Sequence, residues 1–223
     1  MDKKLLIQAI IKFIFGVLII GALLFIPAGT IGYWNGWLFM GLLFIPMFIA
    51  GIFLMFKNPE LLKKRLNAKE KEGEQRVVVL LSGLMFLSGF IIAGLNFRFN
   101  WIVLPHIVVI IASILFIIAY ILYAEVLREN TYLSRTIEVQ KNQKVIDKGL
   151  YGIVRHPMYA VTILLFLTIP LVLGSIISFL IFIVYPIIIA KRIKNEEKVL
   201  EKNLEGYKEY KKKVKYKIIP FIW

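Results

Sequence analysis

This sequence predicts an all-α, polytopic membrane helix bundle of about six transmembrane helices with a C-terminal helical hairpin. Three observations lead there. Hydrophobic residues make up 59% of the 223, and mean hydropathy is +0.77, against about 45–50% apolar residues in soluble domains. No Asp, Glu, Lys or Arg falls between Lys12 and Lys57, Arg76 and Arg98, Arg98 and Glu125, or Arg155 and Lys191. Each stretch can hold the roughly 20 apolar residues of a membrane helix. Finally, in a six-helix arrangement 27 of the 28 basic residues fall on one side.

The first uncharged stretch holds two helices, near Leu5–Ile26 and Gly32–Phe56, separated by Pro27-Ala28-Gly29-Thr30. Tyr33, Trp34 and Trp37 open the second, where interfacial aromatics are expected. The charged segment Lys57–Arg76, with Leu61, Leu62 and Leu66 at helical spacing, reads as an interfacial helix at headgroup level. A third helix is expected near Val77–Phe97, a polar turn over Asn96–Trp101, and a fourth helix near Ile102–Ala124. The last stretch, Pro157–Ala190, is interrupted by Pro170 and Gly174-Ser175 and reads as a tight hairpin.

Charge assigns the sides. Met1–Lys12, Lys57–Arg76, Ala124–Met158 and Lys191–Trp223 net +2, +3, +2 and +6, with Arg98 alone opposite. Positive charge marks the cytoplasmic face, so both termini and both long loops are expected there, with a prokaryotic plasma membrane as the setting. The N-terminal start resembles a signal peptide, but no small-residue cleavage site follows, so it reads as a retained helix. Two regions are expected: residues 1–124, a four-helix membrane region, and residues 125–223, which hold the residues suited to chemistry. The chain has no Cys and two His, which argues against disulfides, a Cys nucleophile and a multi-His metal centre. The net charge of +14 reads as membrane contact with anionic lipid rather than nucleic-acid binding. Walker, HExxH and Ser-elbow patterns are absent.

Within the second region, Pro157 disfavours helix at His156 and suits the first helical turn. Arg155 and His156 therefore sit just ahead of a helix N-terminus, whose free N–H groups can hold a carboxylate or phosphate. Arg192 and Glu196 are four apart and share a helical face. The hairpin returns them beside the helix start, so Arg155, His156, Arg192 and Glu196 should converge on a site for a zwitterion. The plainer readings are headgroup anchors and an exposed ion pair. The tail, with Tyr207 and Tyr210 one turn apart and an apolar end at Ile218, Ile219, Phe221, Ile222 and Trp223, is expected to lie on the membrane, with a lid over the site as the alternative.

These motifs resemble the isoprenylcysteine carboxyl methyltransferase family of integral membrane enzymes, related to the phospholipid N-methyltransferases. The resemblance runs from Thr136 to Trp223. It rests on the Gly-x-Tyr-x-x-x-Arg-His-Pro-x-Tyr run of Gly149 to Tyr159, and on Arg192, Glu196, Glu197 and Leu200. Tyr207, Tyr210, Pro220 and Phe221 complete it. Val161 stands where the family often has Gly, and Leu204-Glu205 replaces a Phe-Gly with spacing one residue short.

The resemblance implies S-adenosylmethionine as cofactor, held by cytoplasmic segments at Gln140, Gln143, Lys144, Val145, Ile146, Tyr151, Arg155, His156, Pro157, Met158, Tyr159 and Glu196. It implies catalytic roles for Arg192, near a substrate carboxylate, and for Glu196. No metal is implied. The partners implied are membrane lipids and a lipidic or prenylated small substrate. The rival readings are a phospholipid N-methyltransferase, an NADPH-dependent membrane reductase of the sterol reductase type, and a non-enzymatic scaffold.

Overall fold

The computed structural model describes residues 3–66, 73–133, 137 and 139–223. Among them the α-helices are α1 (Lys3–Ala28), α2 (Trp34–Lys57), α3 (Pro59–Leu66), α4 (Gly73–Phe99), α5 (His106–Glu129), α6 (Pro157–Val172), α7 (Ile176–Phe182), α8 (Tyr185–Asn203) and α9 (Tyr207–Lys213), with irregular segments over 139–148 and 214–223. Four of these, α1, α2, α4 from Arg76 and α5, are long and apolar enough to cross a membrane, as is the α7–α8 run. With α6, a shorter apolar helix, this is a multi-pass bundle of about six spans.

Local chemistry sets the breaks. Gly29 ends α1 in the left-handed region at φ 68°. Asn58 opens α3, its Oδ1 accepting from the Leu61 amide at 3.1 Å, and Leu61 and Leu62 are buried beneath the charged face. The remaining interfacial residues, 67–72, lie outside those described. Pro157 occupies the first turn of α6. Gly174, at φ 73°, turns the hairpin, and Ser175 then caps α7 through the Ser178 amide at 3.1 Å.

Two expectations are corrected. Asn96 belongs to α4 rather than to a turn. Buried there, it donates to the Ile102 carbonyl at 3.0 Å and accepts from the Ile102 amide at 3.3 Å, so one side chain satisfies the loop backbone that follows. The last span also breaks at Ile183–Val184 and then runs as α8 to Asn203, well past Ala190, where its apolar part ends.

One continuous core joins the first helices to the hairpin: Leu24, Phe39, Phe90 and Phe116 pack with Ile169, Val172, Phe182 and Ile193. The Tyr33 hydroxyl donates to the Leu173 carbonyl at 2.6 Å and the Asn35 amide to the Val172 carbonyl at 2.9 Å, pinning the hairpin turn to the start of α2. In hydrocarbon such buried polar groups need these partners. Packing is closest toward that end. Toward the basic end the N-terminal helices part around a cavity.

Candidate functional site

The hairpin brings α8 back beside the start of α6, as the spacing predicts. Arg155 and His156 are both buried, and both meet Glu197: Arg155 Nε donates to Glu197 Oε1 at 2.8 Å, and His156 Nε2 lies 3.2 Å from the same oxygen. Arg155 Nη1 also donates to the carbonyls of Val214 at 2.8 Å and Lys215 at 2.6 Å. Burial pushes the Glu197 carboxyl up, but hydrogen bonds and charge from His156 and Arg155 outweigh it and hold the group down at about 2. Glu197 lies in the charged stretch of α8, outside the apolar part of the span.

One residue earlier, a second cluster forms. The Tyr159 hydroxyl accepts from Arg192 Nε at 2.9 Å and donates to Glu196 Oε2 at 2.5 Å. Arg192 and Glu196, both half-buried, thus meet the same hydroxyl of α6.

The tail folds across this face. The amides of Arg155 and His156 donate to the carbonyls of Tyr216 at 2.9 Å and Lys217 at 2.8 Å. The Tyr210 hydroxyl donates to the Tyr151 carbonyl at 2.7 Å, and Lys213 Nζ to Asp147 at 2.8 Å. The expectation of a tail simply lying on the membrane is corrected: backbone amides at the start of α6 need acceptors, and the tail carbonyls supply them. Its apolar tip, Phe221 and Ile222, stays exposed.

Arg155, His156, Tyr159, Arg192 and Glu196 line the polar end of a cavity of about 1720 Å³, while Glu197 stands behind that wall. Of the residues inferred from the motifs, Gln143, Lys144, Val145, Ile146, Tyr151, Arg155, His156, Met158, Tyr159, Arg192 and Glu196 all lie on its wall. Gln140 and Pro157 do not. Gln140 braces the loop, donating to the Tyr132 carbonyl and accepting from Lys64, both at 2.5 Å. Pro157 starts α6. Leu204, Tyr207 and Tyr210 add the tail's part of the wall. Burial pushes both phenols up, so they stay neutral, and the buried Tyr207 hydroxyl has no hydrogen-bond partner among the described residues.

Residues 108–202 match the model of the isoprenylcysteine carboxyl methyltransferase (ICMT) family. The similarity covers this segment alone, less than half of the chain. No individual curated protein matches the chain. The chain has the spans of a multi-pass membrane protein, and the segment from 108 to 202 is similar to a methyltransferase family. The ICMT segment contains both clusters, from Arg155 and Tyr159 to Arg192, Glu196 and Glu197, whereas α1–α4 and the tail lie outside it. Glu197 is the residue that motif reasoning left without a role. The signal was the doubled acid, since adjacent helical positions face different neighbours and one of them can turn inward.

Proposed function

We propose that the chain is an S-adenosylmethionine-dependent carboxyl methyltransferase acting at the cytoplasmic face on a small lipid that ends in a carboxylate, such as a prenylated cysteine. The observation that carries this reading is the Tyr159 hydroxyl joining Arg192 to Glu196 at the polar end of an otherwise apolar cavity. An acid and a cation joined by one hydroxyl suit two partners side by side, Glu196 the ammonium of the cofactor's methionyl end and Arg192 an acceptor carboxylate, and the Tyr207 hydroxyl, without a partner among the described residues, marks a wall with unused hydrogen-bonding capacity. Glu196, the 143–146 segment, Tyr151, His156 and Met158 would hold the cofactor. When bound, it supplies an electrophilic methyl group.

The rest falls to the chain's own side chains. Arg192, held by Tyr159 through Nε, orients the acceptor carboxylate, and positioning of this kind is worth a large share of a transfer barrier. A carboxylate is ionised at neutral pH, so the site needs no general base. An amine acceptor would need one, yet the two candidate bases here, His156 and Glu196, are engaged by Glu197 and Tyr159. That favours a carboxylate. The apolar remainder of the cavity suits the acceptor's hydrocarbon.

Calorimetric titration of detergent-purified protein with S-adenosylhomocysteine tests the reading. Saturable binding is expected, weakened about tenfold or more in Glu196→Gln. Tyr159→Phe should bind the compound with nearly unchanged affinity while losing about 10–100-fold in methylation of S-farnesylcysteine, through lost alignment. Absence of binding, or full activity in Tyr159→Phe, would overturn the assignment. Binding of NADPH in its place would favour a reductase.

A further inference from the structure

The cavity extends well beyond its polar end. Much of the remaining wall comes from α1, α2, α3 and α4, outside the ICMT segment, through residues such as Phe13, Phe48, Ile52 and Phe86. Gly51 of α2 and Gly83 of α4 also stand in this wall, both inside helices. Glycine is a poor residue there, so something should require it. At Gly89 and Gly94 the requirement is a neighbour: a Cβ on Gly89 would come within 2.3 Å of Phe182, and one on Gly94 within 2.6 Å of the Leu24 carbonyl oxygen, whereas at Gly16, Gly21 and Gly41 it would meet ordinary contacts at 3.7–4.0 Å. At Gly51 and Gly83 a Cβ would meet nothing within 4 Å. Both positions line the cavity, with open space before them.

We infer that Gly51 and Gly83 are specificity-determining residues: they keep the chamber wide enough for the acceptor's hydrocarbon chain and so limit the length of chain accepted. This rests on the proposed carboxyl methylation. The chamber is continuous with the wall that carries Tyr159, Arg192 and Glu196. An acceptor whose carboxylate sits at Arg192 therefore has its chain in this space. The volume also exceeds the about 300–1,000 Å³ of a pocket for one small ligand, leaving room for an acceptor chain beside a cofactor. A side chain at either position would start into space now open.

The experiment compares wild type with Gly51→Leu and Gly83→Leu in detergent. It reads S-adenosylhomocysteine affinity, apparent Tm, and kcat/KM for S-farnesylcysteine and for S-geranylcysteine, one isoprene unit shorter. Cofactor-analogue affinity should hold, with Tm unchanged or raised. Farnesyl turnover should fall about tenfold or more, chiefly through KM, and geranyl turnover should stay within about threefold. If a leucine variant does not fold, the alanine variant at that position carries the test, with a smaller loss confined to the farnesyl substrate. Unchanged farnesyl turnover in the variants overturns the inference alone and leaves the space to bilayer lipid. Equal losses on both substrates also overturn it, since the glycines would then serve packing. Wild type that binds S-adenosylhomocysteine but methylates neither compound overturns the carboxyl-acceptor reading, and the inference with it.

Discussion

Glu197 holds more of the site together than any other side chain described. Its carboxylate meets Arg155 and His156 at hydrogen-bond distance, with Lys217 Nζ at 3.8 Å and Lys211 Nζ at 3.9 Å. Both the carboxylate and Arg155 are buried, so removing one partner leaves the other charged and unmatched, typically at a cost of about 3–5 kcal/mol. Glu197→Ala is expected to lower stability by about that much and to release the tail, read as lower Tm and faster proteolysis after Tyr210. The pH response has a definite sign. The folded group is held at about 2, below an unfolded glutamate near ~4.3. Its contribution is therefore complete above about pH 4.3 and is lost as pH falls from there through about 2. Melting curves over that interval should show wild type losing stability more steeply than Glu197→Gln. Parallel curves would mean that Glu197 does not carry this linkage.

At the scale of elements, the positions of the site residues depend on how closely α4 meets the hairpin. Ser178 Oγ donates to the Gly89 carbonyl at 2.8 Å, and the Phe182 ring occupies the space of a Gly89 side chain. Gly89→Ala forces that ring to move, and overpacking of this kind typically costs about 1–3 kcal/mol. Tm should fall, and a second change, Phe182→Leu, should restore part of it. The sequence made much of this layer legible. Uncharged runs gave the spans, Pro157 gave the start of α6, and Gly174-Ser175 gave the hairpin turn, because each signal is local. It did not reveal the break at Ile183–Val184, although Pro186 in the first turn of α8 marks it, nor the buried role of Asn96, which depends on a loop six residues on. The convergence of Arg192 and Glu196 beside α6 followed from the hairpin. That Tyr159 joins them did not, since spacing along one helix says nothing of a third residue across the gap.

For the molecule as a whole, the strongest statement concerns orientation. With 27 basic residues to one side of a six-helix arrangement and Arg98 on the other, we expect both termini and the site to face the cytoplasm. The chain has no cysteine, so single cysteines can be placed without background. In right-side-out vesicles a membrane-impermeant maleimide should label Ile31→Cys and Val103→Cys. It should spare Lys141→Cys and Lys212→Cys until the membrane is opened. The reverse pattern would invert the topology, and labelling of Lys141→Cys with Val103→Cys would remove a span between them. The scale also explains what the sequence left open. The cavity wall is drawn from α1 to α9, and no local pattern encodes a space bounded by helices so far apart in the chain.

The tail is joined to the start of α6 by main chain: the amides of Arg155 and His156 meet carbonyls at 216 and 217. A carbonyl is supplied by every residue type. Mutational drift at Tyr216 should therefore be broadly tolerated, while Arg155 and Glu197, which act through side chains, should resist replacement. A saturation library scored for retained fold should display that contrast as a permissive strand beside two intolerant positions.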